Sequence, residues 1–353
     1  MMTKKQLFGW LTGLISITIL LSGFIPYNLE SPSFSKEKKK ENPFPKLNDF
    51  KLKEITGVGY EENCYRRDNS NVIKVKDYYY VYYNKGPFWK NFHKEWEGSV
   101  WGARSHDGIH WEEIGEMVSK GDAGEWDHWA TYCPNILEGN DGKYYLYFTG
   151  QPENQAAQGP IYVGVAISNS PEGPFEKYAD NPIFSPTQQT GDFDGHRVDD
   201  ASIIFRNGRY WMYYKGRPYA NGQVDLKTIE STKIGIAFSK KPTGPWSRYK
   251  RNPVINEGHE IMVWPHKNGV GIVSCHYVKT SQGRSLEQGV YWSADGKKFN
   301  KYEHPKGMKL RNPGCYYSAN TEGTTWGISF KNGKHGGGDC YLLRWEADFS
   351  CIK

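Results

Sequence analysis

The chain has 353 residues, enough for one large domain or two medium ones, and its Leu, Ile, Val and Phe content, about a fifth, would by itself flag disorder. Against that stand 13 Trp, 25 Tyr and 16 Phe, 15% of the chain, which exclude a disordered polymer, while 39 Gly and 19 Pro speak against a helix bundle, a coiled coil or a polytopic membrane protein. The formal charge of +6 is concentrated in residues 1–53, where nine Lys face four acids for a net +5, so the remaining 300 residues carry only +1 and no basic stripe for nucleic acid.

In chain order, Lys4 and Lys5 precede an uncharged apolar run from Leu7 to Tyr27, long enough to span a bilayer. Residues 1–30 are therefore expected to be a signal peptide or signal anchor. The domain is then exported, periplasmic or extracellular, and tethered to the membrane through residues 7–27 if the segment is retained. Residues 31–53, rich in Ser, Pro, Lys and Asn, are expected to be a linker, and residues 54–353 the folded domain. Six Cys, at 64, 133, 275, 315, 340 and 351, show no CxxC spacing, which argues against structural zinc and for buried free thiols.

From residue 60 onward one pattern recurs. An aromatic strand appears at Tyr79–Tyr83, Tyr144–Phe148 and Tyr210–Tyr214, with fainter copies at Val270–Ser274 and Thr325–Ser329, at intervals of 65, 66, 60 and 55 residues. Each is followed by a partner strand ending in Ser or an aromatic. Turn pairs close four of them: Asp107-Gly108, Gly173-Pro174, Gly244-Pro245 and Asp295-Gly296. Five copies of a multi-stranded unit predict an all-β fold, a five-bladed β-propeller, in preference to a large β-sandwich. The segment 51–67 is expected to supply a strand that closes the ring.

The first strand of every propeller blade faces a central funnel, so residues at its start converge in space. Three such starts carry acids: Asp68 in Arg66-Arg67-Asp68-Asn69-Ser70, Asp199 and Asp200 in His196-Arg197-Val198-Asp199-Asp200, and Glu260 beside His259. Converging carboxylates with Arg and His beside them divide into acid and base, the requirement of glycoside hydrolysis. Trp126, Asp127, His128 and Trp129 precede the second blade, and with Trp264 they are candidates to stack on or hydrogen-bond a sugar. Arg66, Arg67, His196, Arg197 and Lys215 are candidates to bind its hydroxyl or sulfate groups, and Asp199 is a further substrate-binding candidate.

The stretches 66–83, 195–216 and 257–270, with the turn Ser105–Trp111, resemble the five-bladed glycoside hydrolases. The likeness is to family 117, related to family 43, and spans residues 60–349. It implies Asp68 as general base and Asp200 as the carboxylate that modulates the acid, with Asp199 as its alternative. It leaves His259 or Glu260 as general acid, a His acid needing its pKa held up by the adjacent carboxylate. The activity implied is exo-acting release of 3,6-anhydro-L-galactose from α-1,3-linked red-algal galactan oligosaccharides. A family-43-like arabinofuranosidase or xylosidase and a non-catalytic carbohydrate-binding propeller are the alternatives. No cofactor is required, although the family can hold a divalent cation or ordered waters in the funnel. The family's dimer signature, Ser-x-Ala-x-x-Arg, is missing from residues 31–60, which leaves a dimer open.

Overall fold

The computed structural model describes residues 42–350 apart from 158, 220–231, 282 and 319–321. The expected signal or anchor segment, 1–30, lies outside the described residues. Among those described, no helix is long and apolar enough to cross a membrane.

Five antiparallel sheets follow one another along the chain. Blade one has Cys64–Arg67 and Ile73–Val75 both pairing with Tyr78–Pro87, followed by Ser99–Ser105 and Trp111–Val118. Blade two runs Ala130–Glu138, Tyr144–Gln151, Tyr162–Ser168 and Glu176–Lys177. Blade three runs Arg197–Arg206, Arg209–Arg217, Lys233–Ser239 and Ser247–Arg248. Blade four runs Glu260–His266, Gly269–Thr280, Gly283–Ser293 and Asn300–Tyr302. Blade five has Gly314–Cys315, Trp326–Gly333 and Gly336–Glu346, and its fourth strand is Lys51–Glu54, paired Lys51 to Glu346 through Glu54 to Leu343. The ring is thus closed by the segment expected to close it. The only helix among the described residues is the single turn Phe92–Glu95, capped by the Asn91 side chain accepting from the His93 amide.

The expected linker boundary at residue 53 needs correction. Phe44 and Leu47 are buried in the core shared by blades four and five, beside Trp264, Trp345 and Phe349, and His266 bonds the Pro43 carbonyl at 3.0 Å. Phe44 and Leu47, together with the pairing of Lys51–Glu54 to blade five, fasten this Lys- and Asn-rich segment to the domain.

The aromatic excess has a specific use. Tyr82, Tyr147 and Tyr213 occupy matching positions in the second strands of blades one to three, and all are fully buried. Each donates its hydroxyl to a turn carbonyl of the following blade: Pro171 at 2.6 Å, Pro242 at 2.9 Å and Gly296 at 2.9 Å. A ring fills the space between blades, and its hydroxyl satisfies a turn that a Leu would leave unpaired. Cys64, Cys133, Cys275, Cys315 and Cys340 are buried free thiols, as expected.

Trp264 is not a sugar platform. It is completely buried between Phe44, at 6.0 Å, and Phe349, at 5.1 Å, and lies over Gly271, where an added Cβ would come within 2.4 Å of the indole. Trp264→Ala is expected to destabilise the fold by about 3–5 kcal/mol, measured by denaturant unfolding. A loss below about 1 kcal/mol would contradict this packing role.

Candidate active site

Four of the five blades carry a non-glycine residue in the left-handed region within or beside the first strand: Asp68 (φ 52°), Cys133 (φ 45°), Asp200 (φ 51°) and Asn312 (φ 36°). Pairing is broken at each matching point in blades one to three, between Arg67 and Ile73, Tyr132 and Asn135, and Asp199 and Ser202. A bulge of this kind re-aims a side chain at a cost in backbone strain. Here it brings Asp68, Cys133 and Asp200 to one pocket. Blade four pairs regularly through Glu260–His266 and contributes Glu260 from the first residue of the strand.

The pocket has a volume of about 150 Å³ and opens to solvent at its mouth. It is lined by the sequence-predicted Arg67, Asp68, Arg197, Asp199, Asp200, Lys215, His259 and Glu260. The Arg67 Nε lies 2.9 Å from Asp68 Oδ2, and its guanidinium sits over Phe330 at 5.1 Å, with Phe92 and Trp96 beyond. The Lys215 ammonium is shared by Asp200, at 2.5 Å, and Asp199, at 3.2 Å, and donates to His259 Nδ1 at 3.5 Å. Glu260 is asymmetric: Oε2 accepts from the Asn312 amide at 2.5 Å and the Cys275 thiol at 3.0 Å, while Oε1 faces His259 Nε2 at 4.0 Å.

Burial pushes the Asp200 carboxyl up, to about 7, against the pull of Lys215 and with the push of Asp199. His259 moves the other way. Burial first, then the charges of Lys215, Arg217, Arg67 and Arg311, hold its pKa well below the ordinary 6.5. The expectation that Glu260 would hold His259 up is thereby corrected, because cations surround the imidazole on more sides than the single carboxylate at 4.0 Å.

This has a stability consequence. Between the depressed pKa of folded His259 and about 6.5, the unfolded chain binds a proton that the folded one does not, so His259 costs stability as pH falls, by at most about 1.4 kcal/mol per pH unit. The Tm of His259→Gln minus that of the parent is expected to become several degrees more favourable on going from about pH 8 to pH 5. A difference independent of pH would remove this account.

The remaining sequence candidates lie elsewhere. Trp126 stacks on Phe148 at 5.5 Å and covers Gly150 and Gly164, where a Cβ would approach its ring within 2.1 and 2.5 Å. Asp127 is fully buried and pairs with Lys177 at 2.7 Å. His128 turns to the Gly121 carbonyl at 3.3 Å, and the Trp129 indole donates to the Trp96 carbonyl at 2.5 Å. His196 is buried against Tyr219 and takes a 3.2 Å contact from Arg197. These five, like Trp264, do not line the pocket. They precede a first strand in sequence, but the packing and pairing contacts just given take up their side chains.

Sequence reasoning missed Phe92, His93, Trp96, Tyr132, Cys133, Gln155, Ile161 and Arg217, all of which line the pocket. Cys133-Pro134-Asn135 had a usable signal, since it matches Asp68-Asn69-Ser70 and Asp200-Ala201-Ser202 in position. Arg217 ends an aromatic strand and gave none. The connections holding His93 and Gln155 meet through the Ala156 amide and the His93 carbonyl at 2.9 Å, walling the mouth on the side of blades one and two. Among the described residues no group of three His, Cys, Asp or Glu is placed to hold a metal ion.

With this geometry, similarity to known proteins is informative. The family model described as glycosyl hydrolases family 43 matches residues 64–202. An extracellular endo-alpha-(1->5)-L-arabinanase of Thermotoga petrophila is 24% identical over 141 residues, 32% of this chain and 28% of that protein. Xylosidase/arabinosidase 43A of Humicola insolens is 34% identical over 76 residues, 22% of this chain and 19% of that one. The chain therefore matches less than a third of the length of either curated relative. The structure of Zg3597, a family 117 glycoside hydrolase from Zobellia galactanivorans, superposes with a TM-score of 0.74 at 24% identity, covering 88% of this chain and 92% of that one. The chain thus shares the five-bladed propeller fold of these glycoside hydrolases, and residues 64–202 match the family 43 model. Within that class it resembles family 117, with a family-43-like first half.

Proposed function

We propose that this protein is an exo-acting, inverting glycoside hydrolase that removes a terminal 3,6-anhydro-L-galactose, or a closely related sugar, from α-1,3-linked red-algal galactan oligosaccharides. The observation that carries the reading is that Asp68, Asp200 and Glu260, from the first strands of three different blades, line one pocket. Asp68, held in place by Arg67, accepts the proton of the attacking water. Glu260 is the general acid: its Oε2 is anchored by two donors, leaving Oε1 to carry the proton toward the leaving oxygen. His259, with its pKa lowered, serves as a neutral hydrogen-bonding group, its Nδ1 engaged by Lys215. Asp200 and Lys215 set the local charge around this pair.

Phe92, His93, Trp96, Gln155 and Ile161 wall one side of the pocket, which favours a chain end over an internal bond. Inversion requires base and acid about 6.5–9.5 Å apart, leaving space for water.

The test is incubation with neoagaro-oligosaccharides, an aryl arabinofuranoside and an aryl xyloside, reading released monosaccharide and its first-formed anomer by NMR. Release of anhydrogalactose with inverted configuration is expected, and a retained anomer would sink the mechanism. The match to family 43 over residues 64–202 supports the second reading, an arabinofuranosidase or xylosidase, which turnover of only those aryl glycosides would favour. Binding without hydrolysis of any glycan would leave a carbohydrate-binding propeller.

A further inference from the structure

Arg197 and Arg217 face each other as cross-strand partners in blade three, one row outward from Asp199 and its partner Lys215. Both line the pocket and both are more than nine-tenths buried, with 2% and 8% of their surface exposed. Like charges directly opposite on neighbouring strands repel, and burial worsens the repulsion. Neither is neutralised by an ion pair among the described residues. Arg197 donates only to neutral acceptors: the Gly159 carbonyl at 3.1 Å, Gln155 Oε1 at 3.2 Å and His196 Nε2 at 3.2 Å. The Arg217 guanidinium has no hydrogen bond to a described residue, and its buried Nε has no partner. The nearby Asp199 carboxylate is engaged by Lys215. Arg197 is pushed down to about 10, by burial first and then by the charge of Arg217.

We propose that Arg197 and Arg217 form an oxyanion subsite that recognises a carboxylate or sulfate group carried by the sugar bound in the pocket. This rests on the reading of the pocket as a glycan site and adds to it a preference for saccharides that carry an acidic group. The guanidinium fork matches either anion with paired hydrogen bonds, which an ammonium cannot do. Same-face residues two apart on a strand are separated by about 7 Å, so the anion sits one sugar's reach from the Lys215–Asp200 row. An anion at this position would supply the missing countercharge and the missing acceptor for Arg217 together.

The test is calorimetric titration of the full chain with galactose, galacturonate and galactose 6-sulfate. At low ionic strength at least one acidic sugar is expected to bind about tenfold or more tightly than galactose, the advantage shrinking as salt is added. Which one does so decides between carboxylate and sulfate. Arg217→Gln is expected to bring the ratio close to one, and Arg217→Lys, which keeps the charge without the fork, to leave an intermediate ratio. Equal affinity for galactose and both acidic sugars overturns the proposal, as does a preference that survives in an Arg217→Gln protein melting like the parent, or failure of both acidic sugars to bind. If Arg217→Gln does not fold, the ratio and its salt dependence in the parent and Arg217→Lys decide. Acidic sugars that bind while no glycan is cleaved would remove the hydrolase reading and leave the subsite standing.

Discussion

Asp68→Asn is expected to lower kcat by about 10³- to 10⁴-fold, the upper part of the range for a lost general base, with KM changed little. The amide keeps the shape of the carboxylate but cannot take a proton from water. It also leaves Arg67, paired to Asp68 at 2.9 Å and ringed by Phe92, Trp96 and Phe330, without its nearest counter-ion. A cost of about 1–3 kcal/mol in stability should therefore accompany the loss of turnover. Steady-state kinetics at a temperature well below the melting point of both proteins separates the effects. Near-normal kcat in a folded Asp68→Asn protein would remove Asp68 as base.

The second large effect is expected at blade four. Glu260→Gln should reduce kcat on a natural oligosaccharide by about 10²- to 10⁴-fold, and far less on an aryl glycoside whose leaving group needs no protonation. His259→Gln should lose less on the natural substrate, because burial, and then the surrounding cations, keep the imidazole neutral. Comparing both variants on both substrates decides the acid. If His259→Gln shows the larger loss together with the aryl-glycoside recovery, the roles are reversed. The Glu260 geometry also makes Cys275 and Asn312 its positioning partners, since their donors fix Oε2.

Much of the fold was legible because blade packing is repetitive. An aromatic strand returns three times with two fainter copies, and its tyrosines must both fill space and satisfy the next blade's turn, as Tyr82, Tyr147 and Tyr213 do. The closing strand was legible too, since blade five ended one strand short. The site was legible mainly where its residues lie in or beside first strands, as Asp68, Asp200, His259 and Glu260 do, with Lys215 on a second strand as the exception. The aromatic and polar cluster Trp126–Trp129 looked equally suited to sugar binding. Yet Gly150 and Gly164 leave room for Trp126 to lie down on blade two, and Lys177 draws Asp127 away. Trp264 likewise reads as a platform in sequence and is core in space.

By itself, then, the sequence determined the architecture and the identity of the converging acids. Both are properties of a repeat, visible wherever matching positions carry unmatched chemistry. Tertiary structure alone decided the environment of those acids. The left-handed bulges that turn Asp68, Cys133 and Asp200 to one pocket, the cations that depress His259, and the unneutralised Arg197–Arg217 pair all arise between residues far apart in the chain or across a strand register. Burial and distance set their charge states, and a linear order of residues carries neither.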